Sequence, residues 1–251
     1  IMRGIGNTQF FGAPGVQMYV DGVPQGNAFS YGADLYDLES VEILKGAQGH
    51  ASGKLSPGGA VNLITRRPGD TQKSKVSASY GSFDTQRYGL GSSGPLGDDS
   101  SYSVSAQHSL SDGFLNNTAG RDNDSESWNG RLAFHWDGGA GTRASLALSF
   151  TTHELGAQPI VLRNQADFYA RASDMDEYTE IDQNQQSLSV EHDLSDGKLV
   201  SITARSDWDM NLNLLDLDLS LFPAATSSIE QDQSIWSQEL RIENNEDPDM
   251  G

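Results

Sequence analysis

From residue 76 onward the chain is built of segments whose larger apolar residues recur at every second position, a period that an extended strand turns into one apolar face. The segments are VSASY (76–80), YGLG (88–91), SYSVSAQHSL (101–110), RLAFHW (131–136), TRASLALSF (142–150), SLSVEHDL (187–194), LVSITARSDWDM (199–210) and IWSQELRI (235–242). In the third, Tyr102, Val104, Ala106 and Leu110 share one face, and Ser103, Ser105, Gln107 and Ser109 share the other. In the fifth, Ala144, Leu146, Leu148 and Phe150 oppose Ser145, Ala147 and Ser149. Strand follows strand with no helical period between them, which predicts an antiparallel, mainly β body.

The connections alternate too. GPLGDD (94–99), DGGAGT (137–142) and SDGK (195–198) are tight Gly/Asp turns, whereas about residues 111–127, 153–186 and 211–233 form long connections. Only GSFDTQ (81–86) is a short exception. Long loops at one end and short turns at the other are the habit of membrane β-barrels. A soluble antiparallel sandwich would alternate in the same way, with its apolar face turned inward. The polar faces here favour the barrel, because they carry Ser, Thr and Ala rather than Lys and Glu. So do the large aromatics Trp128, Trp136, Phe150, Trp208 and Trp236, which lie towards strand ends as an interfacial girdle requires. No stretch approaches the ~18 apolar residues of a membrane-spanning helix, a test that a β-barrel never meets.

Charge marks a boundary near RRPGD. Residues 1–70 carry five bases and six acids, whereas the whole chain has a net charge of −19, so nearly all the acidity lies beyond residue 70. Such a balance repels a phosphate backbone and sets nucleic acid aside as a partner. The first 70 residues read as a small glycine-punctuated α/β unit. VQMYVDGVP is a strand turning at Asp21-Gly22, and SVEILKG and GAVNLITRR are further strands. ADLYDLE and HASGKLS could each form a turn or two of helix, with Asp34 and Ser52 as caps.

Enzyme-like patterns fail on inspection. GLGSSG (89–94) sits in a strand and runs into Pro95, with no helix to offer its N-terminus to a phosphate. GHASGKL (49–55) has one residue too few between its glycines for a phosphate loop, and Leu55 replaces the magnesium-binding hydroxyl. Asp122, Asp124 and Glu126 begin like a calcium loop, but Ser127 and Ala133 stand where Gly and Glu are needed. The five histidines lack metal-ligand spacing, and the absence of cysteine removes thiolate chemistry. No catalytic residue, no metal site and no cofactor is expected.

Four blocks in the first unit, MRGIG (2–6), VQMYVDGVP (16–24), DLYDLESVEILKGAQG (34–49) and SPGGAVNLITRRP (56–68), resemble in order and spacing the plug domain of TonB-dependent outer-membrane receptors. LESVEILKG with SPGGAVNLITRRP is most similar to the ferric-siderophore receptors of that family. The resemblance implies a plug over residues 1–70, and over 71–251 the first strands of a barrel that is incomplete here and has about 22 strands when whole. It also implies some 14 further strands, or roughly 300 residues, after Gly251, and a signal peptide, an energy-coupling segment and earlier plug sequence before Ile1.

By the same resemblance Arg3 and Lys45 match plug positions where basic residues pair with barrel-wall glutamates, although Lys45 replaces a more frequent Arg and loses its fork geometry. Ala47 stands where the family usually has proline. Gly4, Gly22, Gly46, Gly58 and Gly59 fall to plug backbone geometry. Gln9, Phe10, Phe11, Asn27, Phe29 and Tyr31 map to apex loops facing the cell exterior, where amide and aromatic groups suit an organic chelate. The implied function is active transport in the outer membrane of Gram-negative type, with iron carried only as part of a chelated substrate. The implied partners are a TonB-type inner-membrane energy-transducing complex, a small-molecule chelate and outer-membrane lipid. Cobalamin, haem, nickel complexes and oligosaccharides use the same architecture. A signalling receptor of that architecture and a soluble secreted β-protein are the other classes left open.

Overall fold

The computed structural model describes residues 14–26, 36–46, 56–163 and 166–244, all of them strand, turn or irregular backbone. The plug region forms a four-stranded mixed sheet from β1 (Val16–Val20), β2 (Val23–Pro24), β3 (Leu38–Lys45) and β4 (Gly59–Thr65), in the order β2-β1-β4-β3. β1 runs parallel to β4, from Val16 opposite Gly59 to Val20 opposite Leu63, while β2 and β3 pair antiparallel with their neighbours.

The Asp21-Gly22 signal becomes a two-residue hairpin loop in which Val20 pairs with Val23. Both loop residues have positive φ, 49° at Asp21 and 80° at Gly22. That is the turn whose twist matches antiparallel strands, and Asp-Gly fills it with little strain. A Cβ at Gly22 would lie 2.9 Å from Ile202 Cδ1 of the neighbouring sheet. Gly22→Ala is therefore expected to lower stability by about 1–2 kcal/mol, from left-handed backbone strain and the clash, read as a lower urea midpoint of plug-strand amide protection. Gly59, where β4 starts, has φ +132°, a region closed to L side chains. Gly46 closes β3 by donating its N–H to the Gly58 carbonyl at 3.1 Å, and Gly58 N–H donates to the Gly15 carbonyl at 2.8 Å.

The helical turn expected at ADLYDLE does not form in its described part. Tyr36 and Asp37 make a turn, and from Leu38 the chain is already in β3, paired with β4 from Leu38 opposite Thr65. Tertiary pairing overrides a weak local helix signal. The expected turn at HASGKLS lies outside the described residues except for Ser56.

Beyond the plug, β5 (Lys73–Tyr80), β6 (Gln86–Pro95), β7 (Ser100–Ser111), β9 (Ser125–Asp137), β10 (Thr142–Leu155), β12 (Tyr178–Leu194), β13 (Gly197–Asp216) and β14 (Thr226–Asn244) form one antiparallel sheet in sequence order. All eight expected strands are present, and their alternation is realised as two faces. Leu132, Phe134 and Trp136 of β9, Leu146, Leu148 and Phe150 of β10, and Leu240 and Ile242 of β14 are exposed on the outer face. Ser103, Ser105, Asn129, Arg131, Ala147 and Gln185 are buried on the inner face, against the plug. Apolar residues outside and small polar residues inside is the membrane-barrel arrangement and the reverse of a sandwich.

Two expectations change. Trp128, Trp136, Phe150 and Trp236 lie on the outer face, but Trp208 points inward and is 1% exposed, in a cluster with Ile181 and Met210. Its phase on β13 is that of Ala204 and Ile202, not that of the girdle. The strands at the long-connection end also run further than their apolar pattern. β12 starts at Tyr178, β13 continues to Asp216 and β14 starts at Thr226, so DQNQQ and SSIEQDQ are strand. Past the apolar belt of the outer face the side chains on both faces are largely polar and alternation loses its meaning, while the hydrogen-bond ladder continues.

Candidate functional site

Two regions bring chemically active side chains together: the seam between plug and wall, and the cap made by the long connections. At the seam, Asp21 sits at the hairpin tip. Its Oδ1 accepts from Thr65 N–H at 2.8 Å and its Oδ2 from Thr65 Oγ1 at 2.8 Å, which ties the hairpin to the end of β4. Arg131, on the inner face of β9, donates from Nη2 to the same Oδ2 at 2.6 Å and reaches Thr65 Oγ1 at 3.3 Å. One wall guanidinium thus holds two plug elements. Asp37 stands in the field of Arg131; burial pushes its carboxyl above the ordinary aspartate value, and Arg131 acts against that rise.

Next along the seam, Gln25 donates to Gln185 Oε1 at 2.8 Å and accepts from Gln183 Nε2 at 3.0 Å, both on β12, while Gln17 Nε2 donates to the Gln25 carbonyl at 2.7 Å. Val23 packs on Val200, Ile202 and Ala204 of β13. Tyr36 lies over β6, where Gly89 and Gly91 leave room for its ring, with Lys75 Nζ 4.7 Å from the ring centre. The GLGSSG glycines are a slot for a plug aromatic. Where the chain leaves the plug, Arg67 bonds Glu191 at 2.8 Å, and Arg143 and Lys198 approach the same carboxylate at 3.7 and 3.6 Å.

The long connections, 112–124, 156–177 and 217–225, form a cap. The two-residue strands β8 (Asn116–Asn117) and β11 (Ala170–Arg171) pair in parallel and join the first two connections. Ser173 N–H donates to Asn117 Oδ1 at 3.0 Å, and Arg121 pairs with Asp124 at 2.5 Å. Inside the cap Arg171 and Glu177, 2% and 1% exposed, form an ion pair at 2.6 Å. Arg171 also donates to the Gln158 carbonyl at 2.6 Å, and Glu177 accepts from Asp216 N–H at 2.8 Å. Asp174 N–H donates to the Ser220 carbonyl at 3.2 Å, bringing in the third connection.

Of the residues singled out in the sequence, Arg3, Gly4, Gln9, Phe10, Phe11, Asn27, Phe29, Tyr31 and Ala47 lie outside the described residues. Lys45 ends β3 exposed and makes no ion pair among the described residues. The described plug–wall ion pairs are Asp21 with Arg131 and, at the linker, Arg67 with Glu191. Sequence reading passed over Arg131, Gln25 and Tyr36. The available signal was Arg131 itself, an arginine in phase with Asn129 and Ala133 on the face that elsewhere carries small polar residues.

Residues 1–60 match the family model described as TonB-dependent Receptor Plug Domain. The chain is 38% identical over 119 residues to the pesticin receptor of Yersinia pestis, covering 47% of this chain and 18% of that protein. Over 98% of its length it superposes on the ferric yersiniabactin uptake receptor FyuA from Yersinia pestis, with TM-score 0.84 and 26% identity, spanning 39% of that chain. The ferripyoverdine receptor of the outer membrane of Pseudomonas aeruginosa shares the fold, with TM-score 0.64 and 19% identity over 89% of this chain and 32% of its own. The chain therefore spans less than a fifth of the matched curated relative and about two fifths of the most similar of these structures. Residues 1–60 thus match the plug domain of TonB-dependent receptors, and a sheet seated on the inner face of an apolar-out antiparallel wall is the arrangement this chain shares with the ferric yersiniabactin uptake receptor FyuA.

Proposed function

We propose that this chain belongs to an outer-membrane active transporter that takes up a ferric siderophore and is energised by a TonB-type inner-membrane complex. The observation that supports it most is the seam: the plug is held to the wall mainly by hydrogen bonds and ion pairs, the kind of contact that can part and rehydrate. A plug meant to stay would do as well or better with apolar packing. The likeness to receptors for ferric yersiniabactin and ferripyoverdine supports an iron chelate as the cargo.

In this reading the cap and plug apex capture the chelate outside the cell, and the inner complex pulls on the plug. No covalent step is involved. The work lies in differential affinity, since the pulled state must hold the chelate more weakly than the resting state. The outer face of the wall meets lipid, and the short turns face the periplasm.

The test is uptake of radiolabelled iron chelate by iron-starved cells expressing the intact receptor, with and without the energy-transducing partner. Accumulation is expected to fall to background without the partner. Uptake indifferent to the partner overturns the energised mechanism. Binding without transport of any iron chelate, with uptake of cobalamin, haem or an oligosaccharide instead, overturns the choice of cargo.

A further inference from the structure

The three connections of the cap hold three arginines against eight carboxylates. Two of those arginines are already committed, Arg121 to Asp124 and the buried Arg171 to Glu177, which leaves Arg163 to face Asp112, Asp122, Asp167, Asp174, Asp176 and Asp218. The strand ends beneath add to the excess. Glu154 of β10 stands directly opposite Glu126 of β9 and Glu180 of β12, and in the next row Asp209 of β13 stands opposite Asp182 of β12 and Asp232 of β14. Like charges opposed in this way weaken a sheet, and here they fill two successive rows. The same cap exposes apolar side chains on every connection: Phe114 on the first, Ile160, Phe168 and Tyr169 on the second, and Leu221 and Phe222 on the third.

We propose that the cap selects cargo by charge: it accepts a neutral or cationic iron chelate with aromatic or other apolar surface, and turns polyanionic chelates away. The proposal rests on the transport reading above and adds the charge class of the cargo. Three features carry it. An anionic chelate needs fork-shaped donors for its oxygens, and the guanidiniums of Arg121 and Arg171 already serve carboxylates of the chain itself. A surface lined with one sign of charge concentrates solutes of the other sign and depletes its own, and the effect grows with the charge of the solute. Exposed rings supply contact area that a neutral chelate can use, and their faces attract a cation in addition. The liganding groups set the classes apart, since three catecholates leave ferric iron with a threefold negative charge whereas three hydroxamates leave it neutral.

The field is measured first, without cargo. This chain contains no cysteine, so Ile160→Cys in the intact receptor places one reporter thiol in this cap, and Phe222→Cys repeats the measurement on the third connection. Reaction rates with a trimethylammonium and with a sulfonate methanethiosulfonate are each divided by the rate of the same reagent with a free thiol. The cationic reagent is expected to react about tenfold faster at low ionic strength, and its lead to close towards unity at about 1 M salt, where the Debye length falls to about 3 Å. Asp167→Asn combined with Asp176→Asn, which keeps side-chain shape, is expected to reduce the lead by about half or more. Radiolabelled iron is then offered to iron-starved cells as a cationic tris-hydroxamate, a neutral tris-hydroxamate and a trianionic tris-catecholate, alongside cells lacking the receptor. Receptor-dependent uptake of the trianion is expected to be the lowest, by about tenfold.

Cap thiols that react with the anionic reagent as fast as with the cationic one overturn the proposal, whatever is transported. Uptake of the trianion at or above the rate of the other two also overturns it, yet leaves the transport reading in place, because iron still enters through the receptor. Uptake of none of the three, with the lead of the cationic reagent intact, removes iron-chelate transport itself and the cargo assignment with it.

Discussion

Replacing Glu177 by alanine is expected to loosen all three long connections at once, at a cost of about 3–5 kcal/mol, because it leaves the Arg171 guanidinium buried without its counter-charge. The same change removes the acceptor for Asp216 N–H, which attaches the end of β13 to the cap. Amide exchange at Asn116 and Thr118, whose N–H groups donate to the Tyr169 and Arg171 carbonyls, is expected to accelerate together with that at Asp216. Protease added to intact cells is expected to cut within 156–177 in the variant and not in the parent. The paired change Arg171→Met with Glu177→Leu is expected to cost less than either single change, since it removes both charges. A Glu177→Ala protein with parental exchange at all three amides shows that the pair is not what holds the cap.

The second large effect lies at the slot on β6. Gly89→Val is expected to expel the Tyr36 ring, because even a Cβ there would lie 2.2 Å from Tyr36 Cε2. The loss is the buried part of an aromatic side chain and its stacking with the Lys75 ammonium, together about 2–3 kcal/mol. Gly91→Ala is expected to be milder, with its nearest ring contact at 3.3 Å. Denaturant titration of the plug, followed by amide protection in β1 and β4, measures both. In a Tyr36→Ala background the Gly89→Val penalty is expected to fall to near zero, since the clash has lost its partner. A penalty that persists there overturns the slot.

These particulars show where the sequence spoke and where it was silent. The eight wall strands were legible because an apolar outer face and a polar inner face put every second residue into a different chemistry. At the long-connection end that contrast vanishes, so the beginning of β12 and the end of β13 carry no period although their ladders continue. Trp208 was misplaced for a related reason: nearness to a strand end suggested a girdle, while its phase with Ile202 and Ala204 put it inside. The Asp21-Gly22 turn was legible because few dipeptides accept two positive φ angles in succession. Its second use, as the acceptor for Arg131, depends on a strand 110 residues away and has no local signature. The same holds for Arg171 and Glu177, whose burial depends on how separate connections fold over one another.

The parallel pairing of β8 with β11 also bears on how such a receptor can diversify. Asn117 of one connection caps Ser173 of another, and Glu177 reaches the strand end that leads into a third, so a length change in any one disturbs the other two. Under the proposed transport role, variation in the cap would then be inherited as a cassette: grafting 112–124, 156–177 and 217–225 together preserves the shared bonds, whereas swapping any one alone breaks them.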